Sequence, residues 1–223
     1  MFVRDCMTPD PKTVEPDTSL DEALGLMRAL RVRHLPVVHG ASLVGILTWT
    51  DLMRASPSPA TTLAVWEIPA LLKTARVQDV MTKDPLTVSP EVPVEIAARM
   101  LRERKIGSLP VMERQMLVGI VTESDLFDAL IFLLGGDIHG VRMSVELPNG
   151  LRDLARFVDA LGQLTSEKGA VTVSARLDEV SRRGYVRVAT SSPLVLAEQL
   201  ATAGFEVSNL RFEPPAKSVR ALS

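Results

Sequence analysis

Apolar residues near the start of the chain recur every three or four positions, which predicts an amphipathic helix after a proline-rich turn. The apolar positions are Leu20, Ala23, Leu24, Met27 and Leu30. Thr18 or Ser19 stands where the N-cap of this helix belongs, and Glu22 is placed as a capping-box partner of Ser19. The pattern therefore predicts a helix that begins close to residue 20.

Two short apolar runs follow this helix and are typical of strands joined by a tight turn. The runs cover residues 35–38 and 43–48, and the turn between them reads His-Gly-Ala-Ser. Asp51 comes after a Thr-x-Thr sequence and is expected to begin a second helix as its N-cap. Together with an extended Thr-Val piece at residues 13–14, the predicted order is β-α-β-β-α.

The same arrangement occurs a second time, 74 positions later in the chain. Of the 51 pairs that align residues 3–53 with residues 77–127, 21 are identical. Chance alone gives roughly one identity in twenty, so the chain contains an internal duplication. The helical pattern of the second copy consists of Val94, Ala97, Ala98 and Leu101. Neither copy buries its sheet alone, and we expect the two to pack face to face and form two pseudo-symmetric clefts.

Residues 141–213 show a different pattern, β-α-β-β-α-β, which is the ferredoxin-like plan. Strands are expected at residues 141–147, 170–177, 184–189 and 205–212, with a turn at 178–183. The first helix is predicted from the apolar positions Leu151, Leu154, Phe157, Val158 and Leu161. The second is expected to begin at Ser192 as N-cap, to carry Leu194, Leu196, Ala197 and Leu200, and to end at Gly204.

These patterns together predict an α+β protein with two tandem repeats and one further domain. The expected boundaries are 1–60 for the first repeat, 61–134 for a connecting helix and the second repeat, 135–140 for a linker, 141–213 for the third domain, and 214–223 for a disordered tail.

Composition narrows the class of protein further. With 46% hydrophobic and 23% charged residues, the chain has the composition of a soluble globular protein. A net charge of −2 and 4% aromatic residues give no support for nucleic-acid binding. The longest apolar run, residues 129–134, is too short to span a bilayer, and the first 14 residues lack the apolar region of a signal peptide. One cysteine, Cys6, fits a reducing compartment, so we expect a cytoplasmic protein without a membrane partner.

Met7-Thr8, Leu35-Pro36-Val37 and the run from Gly45 to Asp51 stand in order, and each has its counterpart in the second copy. With these motifs the duplicated segments resemble the CBS domain, and their pairing resembles a Bateman module. The segment at residues 55–72 and the sequence at 33–38 look like those of CBS–ACT proteins of the acetoin-utilisation B type. Residues 147–154 resemble the Asp-x-Pro-Gly-x-Leu turn of an ACT domain, with spacing altered by Asn149.

The resemblance implies that the two clefts bind AMP, ADP, ATP or S-adenosylmethionine. Asp51 and Asp125 are implied to hold the ribose hydroxyls, with Thr48 and Thr122 directed toward ribose or phosphate. The backbone at Thr13-Val14 and Thr87-Val88 is expected to lie along the adenine edge. The other candidate binding residues surround the two Leu-Pro-Val motifs and are Arg33, His34, Pro36, Ser108 and Pro110. The alternative is that Asp51 and Asp125 serve only as helix N-caps.

The two copies differ where phosphates are expected. The first copy carries Arg31, Arg33 and His34 before its Leu-Pro-Val motif, and the second carries Arg104, Lys105, Gly107 and Ser108. Guanidinium and imidazole groups pair well with phosphate, which favours a binding role for these residues. The alternative is that they are solvated charges at a helix end, where the helix dipole favours them. Glu123 replaces Trp49 in the second copy, which weakens the expectation of phosphate binding beside Asp125.

Asn149 and Gly150 are candidates for binding a small ligand at the helix start of the ACT-like domain, and the alternative is a plain tight turn. Cys6 matches Val80 in the other copy, which favours an apolar packing role over that of a nucleophile. The three histidines lack metal-ligand spacing. Trp49 and Trp66 are expected in the core or in an interface.

The expected function is that of a non-catalytic, homodimeric sensor that requires no cofactor or metal. It regulates a separate, unidentified protein, and its ACT-like domain serves dimerisation or small-ligand sensing. One alternative is a structural adaptor whose clefts are empty, and another is an amino-acid sensor that uses the ACT-like domain.

Overall fold

A computed structural model describes residues 1–55, 74–136, 138–164, 170–177 and 182–213. The chain divides into two compact units, Met1–Asp128 and Ala129–Ser223, and this division falls slightly before the predicted boundary at residue 134. The predicted connecting helix, Trp66, residues 178–181 of the predicted turn and the tail lie outside the described residues. No helix within the described ranges is long and apolar enough to cross a membrane.

The first unit contains two copies of one arrangement of strands and helices. The first repeat consists of a 3-10 turn at Val3–Asp5, β1 (Thr8–Pro9), α1 (Leu20–Leu30), β2 (His34–His39), β3 (Ser42–Thr48) and α2 (Trp49–Ala55). The second repeat consists of α3 (Val77–Val80), β4 (Thr82–Lys83), α4 (Val94–Arg104), β5 (Ser108–Glu113), β6 (Met116–Thr122) and α5 (Glu123–Leu133), of which α5 continues past the last residue of the first unit, Asp128. The helices and the last two strands of each repeat follow the predicted order, but the first strand lies at 8–9 and 82–83. The predicted extended pieces at 13–14 and 87–88 contribute only isolated bridges, at Val14 and Val88.

The start of α1 confirms the predicted N-cap. The Ser19 Oγ accepts a hydrogen bond of 3.2 Å from the backbone N–H of Glu22, while Thr18 Oγ1 accepts one from Glu15 N–H and closes the preceding turn. Four of the five predicted apolar positions of α1 are buried, but Leu30 is exposed and lines a cavity. Ala98 of α4 is likewise exposed, while Ala97 and Leu101 are buried.

Each repeat completes the sheet of the other repeat. The hairpin β2–β3 of the first repeat is extended by β4, which comes from the second repeat, and the order in this sheet is β2-β3-β4. The hairpin β5–β6 is extended by β1 of the first repeat, and the order is β1-β6-β5. All pairings within both sheets are antiparallel. The exchange joins the two repeats into one unit, since neither three-stranded sheet is formed by one repeat alone.

The two repeats pack two matched hydrophobic cores. The first core includes Leu24, Met27, Leu35, Leu47 and Leu52, and it also takes in Val77 from the second repeat. The second core includes Leu101, Leu109, Val111 and Val121, and it takes in Val3 from the first repeat. Burial of these side chains provides the main driving force for pairing the repeats.

The second unit has the predicted element order. Its elements are β7 (Gly140–Glu146), α6 (Leu151–Leu164), β8 (Val171–Leu177), β9 (Arg182–Val188), α7 (Pro193–Thr202) and β10 (Val207–Glu213). The sheet has the strand order β10-β7-β9-β8 with antiparallel neighbours throughout. Phe157 and Phe205 meet edge to face in its core, with ring centroids 5.2 Å apart.

Some details of the second unit differ from the sequence prediction. Leu151, Val158 and Leu194 were expected on buried helix faces but are exposed. Ser192 occupies the N-cap position of α7 without making a side-chain cap. Pro193 follows as the first helical residue and lacks an N–H, so the first turn has one unpaired donor fewer to satisfy.

Candidate functional site

Asp51 and Thr48 form a reciprocal capping box at the start of α2. The backbone N–H and the hydroxyl of Thr48 donate to Asp51 Oδ2 at 2.9 and 2.7 Å, and Asp51 N–H donates to Thr48 Oγ1 at 3.2 Å. The prediction that Asp51 is the N-cap is therefore wrong by three residues. The helix begins at Trp49, so Thr48 is the N-cap and Asp51 is the third helical residue.

The second repeat builds the same arrangement at the start of α5. Thr122 donates from its N–H and hydroxyl to Asp125 Oδ2 at 2.7 and 2.8 Å, and Asp125 N–H donates to Thr122 Oγ1 at 3.4 Å. Asp125 is thus also not the N-cap. In both repeats the capping box uses one carboxylate oxygen, and among the described residues no hydrogen bond reaches the other, Oδ1. Each aspartate is held in one orientation and keeps an acceptor oxygen for another group.

A cavity of about 740 Å³ lies beside Asp51. Its lining combines the capping box with residues of the second repeat. The polar and charged lining residues are His34, Thr48, Thr50, Asp51, Arg54, Thr82, Asp84, Arg104, Lys105 and Ser108. The cavity is large enough for a nucleoside and carries both a carboxylate and cationic groups.

A cavity of the same volume, about 740 Å³, lies beside Asp125. Its lining includes Lys12, Arg31 and Arg33 of the first repeat and Glu123 of the second. The two cavities therefore have equal size, but the cavity at Asp125 holds one more carboxylate close to its capping box.

Each cavity takes most of its cationic lining from the other repeat, and the exception is Arg54, which lines the cavity of Asp51 in its own repeat. Arg31 and Arg33, which precede the motif of the first repeat, lie in the cavity of Asp125. Arg104 and Lys105 of the second repeat lie in the cavity of Asp51. The sequence shows which copy carries each basic residue but not which cavity it lines, and the packing of the two copies places these residues beside the aspartate of the other copy.

The segments at Thr13-Val14 and Thr87-Val88, expected along the adenine edge, are not among the lining residues of either cavity. Val14 N–H donates to Pro36 O, and Val88 N–H donates to Pro110 O, so these amides are used in short parallel pairings within each repeat. Pro36 and Pro110 are buried and line neither cavity. The chain that does enter the cavities comes slightly earlier.

Two Asp-Pro sequences, which the sequence analysis did not single out, supply this part of the lining. Asp10, Pro11 and Lys12 line the cavity of Asp125, and Asp84, Pro85 and Leu86 line that of Asp51. Asp10 and Asp84 both adopt positive φ, 45° and 48°, which aspartate tolerates better than most residues. Their identity in the two copies was a signal that could have identified them.

Comparison with known proteins gives the family. A family model of the CBS domain matches residues 3–58 and 77–131. A CBS domain-containing protein of Dictyostelium discoideum is 35% identical over 136 residues, which are 60% of this chain and 94% of that protein. The chain belongs to the CBS-domain family.

Solved structures show the same tandem CBS pair. AcuB of Vibrio cholerae, assigned to acetoin utilization, is 34% identical with a TM-score of 0.51 and covers 60% of this chain and 93% of its own. CBSX2, solved in complex with AMP, is 36% identical with a TM-score of 0.50 and covers 59% and 97%. The CBS domain pair of MJ0100, in complex with 5′-methylthioadenosine and S-adenosyl-L-methionine, is 27% identical with a TM-score of 0.50 and covers 61% and 97%.

His34 lies between the two cavities of the CBS pair and lines both. Burial lowers the pKa of His34, and the charge of Arg33 lowers it further, while the carboxylates of Glu123 and Asp51 act in the opposite direction. The net result is an imidazole that stays neutral at neutral pH. Ser108, its counterpart in the second repeat, is buried and lines only the cavity of Asp51.

Asn149 lines a separate cavity of about 690 Å³ in the second unit. Gly150 adopts a φ of 63° immediately before α6 and is not among the lining residues. Asp153, which the sequence analysis missed, is buried and accepts from Asn149 N–H at 2.8 Å and from Asn149 Nδ2 at 3.1 Å. A carboxylate two residues after the helix start is the signal that could have revealed this cap.

Cys6 of the CBS pair is half-buried against the second core. Burial raises the pKa of the Cys6 thiol, and the nearby carboxylates of Asp125 and Asp5 raise it further. The thiol is therefore a poor nucleophile at neutral pH. Among the residues that the structure describes, no group of three or more metal-ligating side chains occurs.

Proposed function

We propose that this CBS-domain protein is a non-catalytic, cytoplasmic regulatory sensor whose two clefts bind an adenine nucleotide or a related adenosyl compound. The observation that carries the proposal is the pair of capping boxes. Each fixes an aspartate through Oδ2, while Oδ1 has no described partner beside a cavity of about 740 Å³.

The chemistry of the clefts suits a nucleoside with a charged substituent. A fixed carboxylate oxygen accepts hydrogen bonds from the vicinal hydroxyls of a ribose, and charge-assisted bonds of this kind are stronger than neutral ones. Arg104 and Lys105 in one cleft, and Arg31 and Arg33 in the other, carry the charge that phosphate oxygens need. The AMP complex of CBSX2 and the S-adenosylmethionine complex of the MJ0100 pair support this class of ligand.

The test uses Asp51→Asn and Asp125→Asn instead of alanine variants. An asparagine keeps an oxygen for the capping hydrogen bonds from threonine, but it presents an amide NH₂, which cannot accept from a diol, in place of Oδ1. Asp79→Asn is the matched control, because Asp79 accepts from Arg76 N–H in a capping box that lines neither cleft.

Thermal shifts are measured with AMP, ADP, ATP, S-adenosylmethionine and NADH. A true ligand at about 100 times its dissociation constant stabilises the fold by about 2.7 kcal/mol. We expect a shift with at least one adenosyl compound, retained in Asp79→Asn and reduced in each cleft variant. Absence of any shift in the wild type overturns the proposal and favours a structural adaptor with empty clefts.

The second unit is proposed to act as an ACT-like domain that binds a small ligand, such as an amino acid, or joins two chains. Its β-α-β-β-α-β element order supports the ACT-like assignment, and the cavity of about 690 Å³ beside Asn149 supports the binding of a small ligand. Thermal shifts with the twenty amino acids, compared between wild type and Asn149→Ala, test this role. A shift that Asn149→Ala leaves unchanged contradicts a site at this position.

We also propose that the protein is a homodimer and regulates a separate protein. Four large apolar side chains on α5, Phe127, Leu130, Ile131 and Phe132, are each more than half exposed, which is unusual for a monomer. Light scattering of the purified chain tests the dimer, and a monomer at micromolar concentration contradicts it. Phe127→Asp combined with Phe132→Asp is expected to dissociate the dimer.

A further inference from the structure

His34 stands where the internal duplication is not symmetric. Residues 33 and 34 are arginine and histidine, whereas the matched residues 107 and 108 are glycine and serine. The structure brings these two sites together, because a Cβ placed on Gly107 stands 2.9 Å from His34 Nε2 and 3.3 Å from Cε1. Glycine at 107 thus leaves the space that the imidazole ring occupies.

The position of this ring gives it access to both clefts. His34 and Gly107 line the cavity of Asp51 and also that of Asp125, and they are the two described residues that the cavities share. The charges around the ring come from both sides as well. Glu123 belongs to the lining of one cavity and Asp51 to that of the other, and both act electrostatically on His34 together with Arg33.

A single neutral imidazole has one N–H to donate. When that N–H is donated to a phosphate in one cleft, the ring has only its acceptor nitrogen left for the other cleft, and this nitrogen repels phosphate oxygens. A ligand in one cleft therefore changes the free energy of binding in the other through a side chain that touches both.

We propose that His34 couples the two clefts, so that a phosphate-bearing nucleotide in one cleft weakens the binding of a second nucleotide in the other. This inference rests on the proposed function, because it requires that both clefts bind the nucleotide. Coupling between sites is reciprocal, so filling either cleft must weaken the other by the same factor. A factor of about fivefold or more lies in the usual range of such coupling.

The experiment is a titration with AMP followed by calorimetry. Asp125→Asn leaves the cleft of Asp51 intact, and Asp51→Asn leaves that of Asp125 intact, so each variant gives the association constant of one cleft alone. For independent clefts, the product of the two stepwise association constants of the wild type equals the product of these two values. We expect the wild-type product to be at least about fivefold smaller.

The same set is then measured in a His34→Ser background, which places in the first repeat the residue that the second carries at 108. His34→Gln provides a second background that retains more side-chain volume. In these backgrounds, which lack the imidazole, we expect the product of the two stepwise association constants to equal the product of the two single-cleft constants. Equal products in the wild type, or a deficit that survives in both backgrounds, overturns the coupling. Saturation of the wild type with one AMP, while each single-cleft variant binds one, supports an extreme form of it.

Loss of AMP binding in one of the single-cleft variants means that one cleft takes no nucleotide, and this also overturns the inference. Lack of any binding by the wild type points instead to failure of the proposed function. The two failures are therefore distinguishable in one set of titrations.

Discussion

The sulfur of Met81, at the beginning of the second repeat, occupies the space that a Cβ on Gly45 in the central strand of the first repeat would need. Met7 and Gly119 make the matching contact in the other sheet. These contacts hold the exchanged strands β4 and β1 in place, because Lys83 and Thr82 pair with Gly45 and Ile46, and Pro9 and Thr8 with Gly119 and Ile120. A methionine side chain and a glycine thus fit together at each crossing of the repeats.

Gly45→Ala and Gly119→Ala are expected to destabilise the CBS pair by about 1–3 kcal/mol each, because the added methyl group overlaps the methionine and the exchanged strand. Chemical denaturation provides the measurement. Gly25→Ala is the control, since Gly25 lies on the exposed side of α1 with nothing within 4 Å of an added Cβ. It is expected to leave stability unchanged or to raise it by up to about 1 kcal/mol. Equal effects at all three positions contradict the packing argument.

Arg31 and Lys105 occupy matched positions, and each lies in the cleft of the other repeat's aspartate. In the Asp125→Asn background, Lys105→Gln is expected to weaken AMP binding about tenfold, whereas Arg31→Gln has little effect. In the Asp51→Asn background the order reverses. Both residues have positive φ, 55° and 54°, so the backbone strain of the two substitutions is comparable. If each basic residue instead affects the cleft of its own repeat, the cross-repeat assignment is wrong.

The CBS pair is expected to lose stability as the pH is lowered, because of His34. Burial, the largest cause, lowers its pKa below the ordinary value of about 6.5, so the unfolded chain binds a proton that the folded protein excludes. The stabilisation is fully present above the unfolded pKa and is lost as the pH falls below it. Arg33 favours this neutral state, and Glu123 and Asp51 oppose it.

The measurement compares the free energy of unfolding of wild type and His34→Gln between pH 7.5 and 5.5. We expect the wild type to lose more stability than His34→Gln over this interval. His39 and His139 are present in both proteins, so their contributions cancel in the difference. Parallel curves, or a wild type that gains relative to the variant, contradict a neutral buried His34.

Asp153→Ala is expected to destabilise the second unit by about 1–2 kcal/mol. The substitution removes the acceptor for Asn149 N–H and Asn149 Nδ2 and leaves these donors without their partner. Asp159→Ala on the exposed side of the same helix is the control and is expected to change stability by less than about 0.5 kcal/mol. Thermal unfolding of the full chain separates the two cases, and an equal effect of the two variants argues against a cap at Asp153.

Much of the fold follows from the sequence because its signals are local. The helix at 20–30 and its Ser19 cap arise from contacts between residues three or four positions apart, and the paired residues of the two hairpins lie 3 to 14 positions apart, so these elements leave a clear periodicity in the sequence. The pairing of Thr48 with Asp51 is equally local, so the sequence marked the correct residues even though it placed the helix start three positions too late.

The internal duplication was also visible in the sequence. The sequence does not show, however, whether the strand at 8–9 or at 82–83 joins the sheet of its own copy or that of the other copy. Thr8 and Thr82 are identical, and so are their possible partners Ile46 and Ile120, so pairing within a copy and exchange between copies satisfy one sequence pattern equally well. Only the packing of two complete repeats determines that each of these strands pairs with the sheet of the other repeat. The same choice determines that Arg31 faces Asp125 and that Lys105 faces Asp51.

The sequence by itself thus determined the elements, the duplication and the pair of aspartates, since each depends on near neighbours or on identity between copies. Tertiary structure alone decided the composition of each cleft and the placement of His34 against Gly107. Those contacts join residues of different repeats, more than about 30 positions apart, and their energy depends on shape and burial across the interface of the two repeats, which no local pattern records.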